Sequence, residues 1–329
     1  MNILTQLKEK QPLSRNARFA LLCLIPIYFI VAGLVIQPVN EIIPGIINIF
    51  REPDFLITDY FLIGGIGAAL INAGILTLIS IGIIYYLGKE MDGHTITSCC
   101  LMFGFSLFGK NLLNIWTILF GVYLYAHYHK TAPSRYIYIG LYGTSLSPII
   151  TQVMQIDSVA VPLRFVMCIV VGVVIGFVLP PLCTHVHYAH QGYSLYNVGF
   201  GAGIIATVVV SLAKSFGIKV ESRLIWSVGN NTLFAVLLMS LFGCMIASAV
   251  AVRGKTILES YRRILKTSGI GGTDYLKDEG GATTVFNMGV NGLFATLFVL
   301  AVKGDLNGPT ICGIFTIVGF SSTGKHLRN

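Results

Sequence analysis

The sequence predicts an all-α membrane protein, a polytopic bundle of transmembrane helices with an internal repeat. Of its 329 residues 54% are hydrophobic and only 11% are charged, and the mean hydropathy is +0.77. A water-soluble domain needs more polar surface than this composition supplies. Apolar runs of about 20 residues, the length that a helix needs to cross the hydrocarbon core, recur along the chain.

Seven apolar runs are long enough to span a bilayer, and two are shorter. The long runs are residues 19–37, 61–87, 136–156, 160–182, 194–213, 228–252 and 281–302. The short runs, 94–108 and 111–127, meet at Gly109-Lys110. Basic residues precede the first run, which lacks a cleavage pattern of small residues, so we predict a retained first span with a cytoplasmic N-terminus.

Two further segments are predicted to lie at the membrane surface. Residues 42–50 are apolar, too short to span, and flanked by prolines. Residues 255–268 place apolar side chains on one helical face and basic ones on the other. The net charge of +8 comes largely from such cations beside spans, where topology and anionic lipid explain them, so no nucleic-acid partner is implied.

The chain contains an internal repeat. Residues 58–114 align without a gap onto residues 273–329, at a constant offset of 215, with 17 of 57 positions identical. The best stretch, residues 104–114 against 319–329, has seven identities in eleven. These identities include glycine, serine, lysine and asparagine, which chance similarity between apolar helices would not match. We therefore predict a duplicated unit.

The duplication divides the chain into four predicted parts. Residues 1–57 form the cytoplasmic N-terminus, first span and interfacial segment, and residues 58–215 form the first repeat unit. Residues 216–272 form a connecting span and an amphipathic linker, and residues 273–329 start the second unit. If the units have equal length, the second should extend about 100 residues past Asn329, so we expect it to be truncated here.

The orientation of the second unit depends on the two short runs. If residues 94–108 and 111–127 each cross the membrane, the second unit is inverted, and the basic cluster between Arg253 and Lys277 stays in the cytoplasm. If residues 94–110 instead re-enter the membrane, the number of crossings between the two units changes. The lysines and arginines then agree less well with the positive-inside rule. The positive-inside rule favours the first arrangement. We predict an inverted repeat with interrupted helices, and the re-entrant alternative stays open.

Inverted repeats with interrupted helices are a common plan of transporters, in which the solute site lies where the repeats meet. The duplicated Gly-Phe-Ser-x-x-Gly-Lys stretch fits this plan, because glycines permit a helix break, serines offer hydroxyls and lysines carry charge into an apolar region. We predict two sets of pathway residues that face each other. They are Gly104, Ser106, Gly109, Lys110 and Asn114, and Gly319, Ser321, Gly324, Lys325 and Asn329.

Two lysines near helix ends favour an anionic solute, as helix N-termini also do. The alternative for Lys110 is that its ammonium extends to the headgroups from a short loop. Asn72 and Asn287, each in the middle of an apolar helix, need a hydrogen-bond partner, which is either a solute or a neighbouring helix.

Three histidines are weak candidates for a metal site. His185, His187 and His190 form an H-x-H-x-x-H group in a predicted loop, where imidazoles could bind zinc or copper or simply titrate. No HExxH motif accompanies them, and the seven cysteines lack metal-ligand spacing. We predict no cofactor and no catalytic residue.

The repeated Gly-Lys motifs, together with His-Gln-Gly-Tyr-Ser-Leu-Tyr-Asn at residues 190–197, resemble an uncharacterised bacterial membrane family, domain of unknown function 1576 (DUF1576). The resemblance covers most of the chain. It implies a multi-pass protein of the bacterial inner membrane with two related regions, and it supplies no substrate. The repeat plan is also similar to that of urea-transporter-type channels, an analogy of architecture alone.

These observations predict a transporter or channel for a small solute, with an anion favoured by the lysines, rather than an enzyme. Lipid and the solute are the expected partners, and homo-oligomerisation is left open. A channel for a neutral solute, a metal-dependent membrane enzyme or sensor using the histidines, and a structural membrane protein are the alternatives.

Overall fold

The computed structural model describes residues 13–54, 57–191, 193–194, 196–217, 224–269 and 272–329. The predicted cytoplasmic segment up to residue 12, and Gly192 and Leu195 of the family motif, lie outside these residues. The described chain is a bundle of helices, which confirms the predicted all-α fold. The helices are α1 (Arg15–Ile36), α2 (Val39–Arg51), α3 (Tyr60–Ile63), α4 (Ile66–Tyr86), α5 (Gly93–Phe105), α6 (Trp116–Tyr128), α7 (Ile137–Gly143), α8 (Ser147–Met154), α9 (Val161–His190), α10 (Asn197–Ser215), α11 (Asn231–Arg253), α12 (Thr256–Ile264), α13 (Tyr275–Asp278), α14 (Gly281–Ala301) and α15 (Gly308–Phe320).

Six of the described helices, α1, α4, α9, α10, α11 and α14, are long and apolar enough to cross a membrane. They carry many exposed apolar side chains, such as Val35, Phe165 and Phe294. A soluble monomer would not expose so much apolar surface, because water disfavours it. The chain is therefore a multi-pass membrane protein whose outer surface contacts lipid.

Three predicted spans differ from the helices observed, and the first of them, residues 61–87, is divided between α3 and α4. Residues 136–156 form α7 and α8 with a 3₁₀ turn between them at Thr144–Leu146, instead of one continuous span. Pro148 lies in the first turn of α8, where its missing N–H is tolerated and a new helix starts readily. The predicted span 160–182 continues to His190, so α9 includes the histidines that we placed in a loop. That placement is wrong.

The duplicated segment folds twice in the same way. The bounds of α3, α4 and α5 recur in α13, α14 and α15 at the offset of 215 found in the sequence. The correspondence also extends further back, because the long helix α11 and the amphipathic α12 precede the second copy as α1 and α2 precede the first. The division of the chain into repeat units that begin at residues 58 and 273 stays a prediction.

Each copy begins with two long antiparallel helices. In the first, Arg18 near the start of α1 pairs with Glu90 just after α4 (3.0 Å), and Gly33 near the end of α1 packs against Gly67 near the start of α4. In the second, the Leu306 N–H just after α14 donates to Asn231 at the start of α11 (2.7 Å). Both pairs therefore have the same hairpin-like arrangement.

The helices α5 and α15 pack side by side at the centre and run antiparallel. Gly104 near the end of α5 lies against Cys312 near the start of α15, and Gly319 near the end of α15 lies against Cys100 of α5. A Cβ at Gly104 would come within 2.9 Å of the Cys312 Cα, so a larger side chain would push the helices apart.

Replacing Gly104 with valine should lower the free energy of unfolding by about 1–3 kcal/mol, the usual cost of overpacking a tight contact. The measurement is thermal unfolding of the purified protein in detergent. The matched control is Gly313→Val on the same helix pair, because a Cβ at Gly313 has no atom within 4 Å. Equal losses in the two variants would show that α5 and α15 are not held by this contact.

Candidate functional site

The two Gly-Lys stretches are breaks that follow the half-length helices α5 and α15. A 13-residue helix is about 20 Å long, which is less than the roughly 30 Å hydrocarbon core. Each break is closed by an asparagine. The Asn114 amide donates to the Gly109 carbonyl (3.1 Å), and the Asn329 amide donates to the Gly324 carbonyl (3.2 Å). Both glycines have a positive φ, at 81° and 152°.

Two buried asparagines, one in α4 and one in α14, donate hydrogen bonds to backbone carbonyls of the breaks. The Asn72 amide donates to the carbonyls of Ser106 (2.8 Å) and Lys110 (3.0 Å). Asn287 does the same for Ser321 and Lys325, at 2.8 Å each. These amides satisfy carbonyls that the end of a helix leaves free. The hydrogen-bond partners of Asn72 and Asn287 are therefore backbone carbonyls of the breaks.

The motif serines bond to their own helices. The Ser106 hydroxyl donates to the Met102 carbonyl (2.6 Å), and the Ser321 hydroxyl donates to the Ile317 carbonyl (2.7 Å). This back-bonding is common for serine in apolar helices. Ser321 also accepts a hydrogen bond from Asn291 (2.8 Å). Both hydroxyls are buried and help to terminate the half-helices.

An aspartate of each copy caps the half-helix of the other. Asp59, directly before α3, accepts from the Gly308 N–H at the start of α15 (3.2 Å), and Asp274 accepts from the Gly93 N–H at the start of α5 (3.1 Å). Each also caps the short helix that follows it. A carboxylate stabilises a helix N-terminus. Because carboxylates occupy both N-termini, positive charge for an anion would have to come from the lysines.

Lys110 is enclosed by protein. Its side chain is 1% exposed, so it does not extend to the surface as the snorkelling alternative requires. The ammonium donates one long hydrogen bond to the Leu141 carbonyl of α7 (3.4 Å) and lies 5.0 Å from the centre of the Phe105 ring. Within the described residues, no carboxylate lies within ion-pair distance of it.

Lys325 has the equivalent position but a different environment. It is half-buried, and its ammonium lies 6.0 Å from the centre of the Tyr196 ring. It lines a cavity of about 570 Å³ between α14, α15 and the second break. Asn291, Thr310 and Asn329 also line this cavity. The first copy has a covered lysine, and the second has one that faces open space.

The two breaks do not face each other. Because α5 and α15 run antiparallel, Leu107 of the first break lies at the start of α15, and Ser322 of the second break lies at the start of α5. The breaks are thus separated by about 20 Å, the length of a half-helix. The pathway residues of each copy lie together, and the two sets lie at opposite ends of the α5–α15 pair.

Asp54 is a site residue that the sequence analysis missed. It is fully buried beside the first break, and its carboxylate accepts hydrogen bonds from Tyr60 (2.8 Å), Thr151 (3.1 Å) and Asn114 (3.3 Å). Burial raises the pKa of Asp54 to about 7, although these hydrogen bonds oppose the shift. Asp54 precedes the aligned segment 58–114, and the residue at the same offset of 215 is Gly269, so the repeat gave no signal for it.

The histidine group does not assemble into a metal site. His185 and His187 are exposed on the last turns of α9, two positions apart, so their side chains point to different sides of the helix. His190 instead bonds Asn197 at the start of α10 (2.9 Å). Among the residues that the structure describes, no three His, Cys, Asp or Glu side chains are placed to hold a metal ion.

Six candidate spans, together with two polar breaks at equivalent positions, define a multi-pass membrane protein with a duplicated core. The chain belongs to the family described as "Protein of unknown function (DUF1576)", whose model matches residues 38–215 and 253–329. This match confirms the resemblance seen in the motifs. No curated protein and no solved structure matches the chain. The match leaves out residues 1–37 and 216–252, which contain the corresponding helices α1 and α11.

The raised pKa of Asp54 predicts a pH-dependent stability. An aspartate in the unfolded chain releases its proton near pH 4, whereas buried Asp54 holds it to about pH 7. The contribution of Asp54 to stability is therefore complete at low pH and is lost as pH rises through about 7. Thermal unfolding is recorded from about pH 4 to about pH 7, and Asp54→Asn should reduce the fall in stability over this range.

The control is Asp157→Asn, which removes the exposed carboxylate that pairs with Arg164 and should leave the fall in stability unchanged. If Asp54→Asn loses stability with pH as steeply as the original protein, Asp54 does not titrate in this range.

Proposed function

We propose that the protein is an integral membrane transporter or channel for a small solute, with an anion as the favoured class. The pathway runs along α5 and α15 between the two breaks. The residues that line this pathway are the lysines of the two breaks, together with the glycines, serines and asparagines that form the breaks. The proposal places the protein in a bacterial inner membrane, with its N-terminus in the cytoplasm, and assigns it no catalytic step.

The buried ammonium of Lys110 carries this proposal. A charged side chain in a membrane protein is costly unless it is paired, and such residues commonly mark a solute or ion path. Lys110 has three N–H donors and uses one of them in a single long hydrogen bond. An anionic group would supply the missing acceptors.

A second donor, on the helix that packs on the first break, supports the same site. The Ser147 hydroxyl of α8 is buried and has no hydrogen-bond partner in the described part of the chain. The next residue, Pro148, packs on Gly109, so α8 lies directly on the break. The hydroxyl and the ammonium both belong to the surroundings of this break, and both are suited to an oxygen-bearing anion.

We also propose that the two copies form an inverted repeat. The antiparallel packing of α5 on α15 and the reciprocal caps from Asp59 and Asp274 are what a two-fold axis in the membrane plane would produce. With such an axis, one break opens toward each side of the membrane. Inverted transporters use this arrangement to expose a site alternately to the two sides.

A flux measurement tests the proposed function. The purified protein is reconstituted in liposomes, and light scattering follows the entry of chloride, nitrate, phosphate, acetate, lactate, urea and glycerol. We expect one anion class to enter faster than it enters empty liposomes. Lys110→Met should reduce that rate by about tenfold, the effect of losing about 1.4 kcal/mol of solute stabilisation, and Lys110→Arg should retain part of it.

Lys303→Met is the matched control, because Lys303 is an exposed lysine in the turn after α14, outside the residues of both breaks. It should leave the rate unchanged. Entry of urea or glycerol that does not depend on Lys110 would favour the neutral-solute channel. Anion entry unaffected by Lys110→Met, in a variant that remains folded, would remove the role proposed for this lysine.

A further inference from the structure

The buried carboxyl group of Asp54 has hydrogen-bond partners for both of its protonation states. When it is ionised, its Oδ2 accepts from the Thr151 hydroxyl (3.1 Å) and the Asn114 amide (3.3 Å). When Oδ2 is protonated, the new O–H needs an acceptor, and the Thr151 hydroxyl can turn to accept it. The hydrogen of Thr151 then goes to the Pro148 carbonyl, which lies 2.9 Å from Thr151 Oγ. A proton can therefore enter and leave this site without leaving a buried polar group unpaired.

The tyrosine on the other side of the carboxyl group keeps one role in both states. The Tyr60 hydroxyl donates to Asp54 Oδ1 at 2.8 Å. Within the described part of the chain this hydroxyl donates to no second acceptor, so it would lose its own hydrogen bond if it had to accept from Asp54. The proton is therefore expected on Oδ2, beside Thr151.

The hydrogen bonds that change with this proton lie next to the first break. A single nitrogen, Asn114 Nδ2, donates to Asp54 Oδ2 and to the Gly109 carbonyl (3.1 Å). Pro148, whose carbonyl would take the Thr151 hydrogen, packs on Gly109. The two protonation states of Asp54 thus differ in hydrogen bonds on both sides of Gly109, the residue that precedes Lys110.

The charge beside the first break also depends on this proton. An ionised Asp54 opposes the binding of an anion there, whereas a protonated Asp54 leaves the ammonium of Lys110 unopposed. Of the surrounding elements, α8 carries no charged residue and α3 contributes Tyr60. Burial raises the pKa of Asp54 to about 7, the nearby carboxylate of Glu52 adds to this shift, and the hydrogen bonds oppose it. Protons therefore exchange at Asp54 near neutral pH.

We propose that Asp54 binds a proton that crosses the membrane together with the anion, so that the protein is a proton-coupled transporter. This inference rests on the function proposed above. Water on one side supplies the proton, an O–H bond forms at Asp54 Oδ2, and the anion binds at the first break. After the site opens to the other side, the anion leaves, the O–H bond breaks, and the proton returns to water. Because coupling is reciprocal, the bound proton favours the anion and the bound anion favours the proton.

A flux experiment with a pH-sensitive dye inside the liposomes tests the inference on the full chain. The probes are chloride, nitrate, phosphate, acetate and lactate, and empty liposomes give the passive entry of acetic and lactic acid. Valinomycin and potassium hold the membrane potential at zero, so that no proton leak is driven by it. For the anion that the protein admits, we expect the lumen to acidify as the anion enters. The entry rate should fall about tenfold, within the usual range of coupling between two sites, when both sides are raised from below to above pH 7.

Three variants separate proton coupling from a structural effect. Asp54→Asn, in protein that still admits the anion, should lose both the acidification and the pH dependence, because an amide does not titrate. Tyr60→Phe removes a donor that favours the ionised carboxylate, so the fall in entry rate should move to higher pH. It preserves the shape of the side chain, and it therefore keeps the test decisive if Asp54→Asn fails to fold. Asp157→Asn, at the exposed ion pair with Arg164, is the control and should change neither effect.

The outcomes distinguish this inference from the function on which it rests. Anion entry without acidification in the original protein would overturn the inference and leave anion transport standing. Acidification that persists in folded Asp54→Asn, or a pH profile that Tyr60→Phe does not move, would overturn it as well. If none of the five anions enters faster than it enters empty liposomes, the proposed function falls, and the inference falls with it.

Discussion

A helix that stops within a membrane leaves its last carbonyls without hydrogen-bond partners, and the hydrocarbon cannot supply any. This constraint organises the core of the protein. The amides of Asn72 and Asn287 satisfy the freed carbonyls at the two breaks, with nearly identical distances in both copies. Because these donors come from neighbouring long helices, each half-helix can end at its break only while it is packed on its partner. The breaks are therefore properties of tertiary packing rather than of local sequence alone.

The N-terminal ends of the half-helices add a second dependence, this time between the copies. Asp59 and Asp274 each cap a helix of their own copy and the half-helix of the other. Movement of one copy relative to the other would therefore disturb a buried carboxylate and a helix end together. Close packing at Gly104 and Gly319 keeps α5 and α15 in register. The proposed transport function therefore requires that the two copies exchange these reciprocal contacts as a unit when they move.

Much of this arrangement could be predicted from the sequence. The lengths of the apolar runs and the polar residues that recur at the repeat offset can both be read directly from it. The half-helices, their breaks and the surface helices α2 and α12 follow from such patterns. The interruption at Thr144–Leu146 was missed because the apolar residues on both sides were taken as one run, although residues 143–148 read Gly-Thr-Ser-Leu-Ser-Pro, which is a turn signal. Asp54 was missed because a single aspartate without a counterpart looks like any loop residue until burial is known. The positions of the breaks at opposite ends of α5 and α15 depend on helix packing, which a pattern along one chain does not contain.

The inversion of the two equivalent half-helices in the membrane is tested most directly by the sidedness of equivalent loops. Single cysteines are placed at Glu90, after α4, and at Lys303, after α14, in a Cys244→Ser background. Each is then labelled in intact cells and in inverted vesicles with a maleimide that cannot cross the membrane. An inverted repeat predicts that Glu90→Cys reacts from the cytoplasmic side and Lys303→Cys from the opposite side. Reaction of both from the same side would show a parallel repeat and would contradict the proposed inversion.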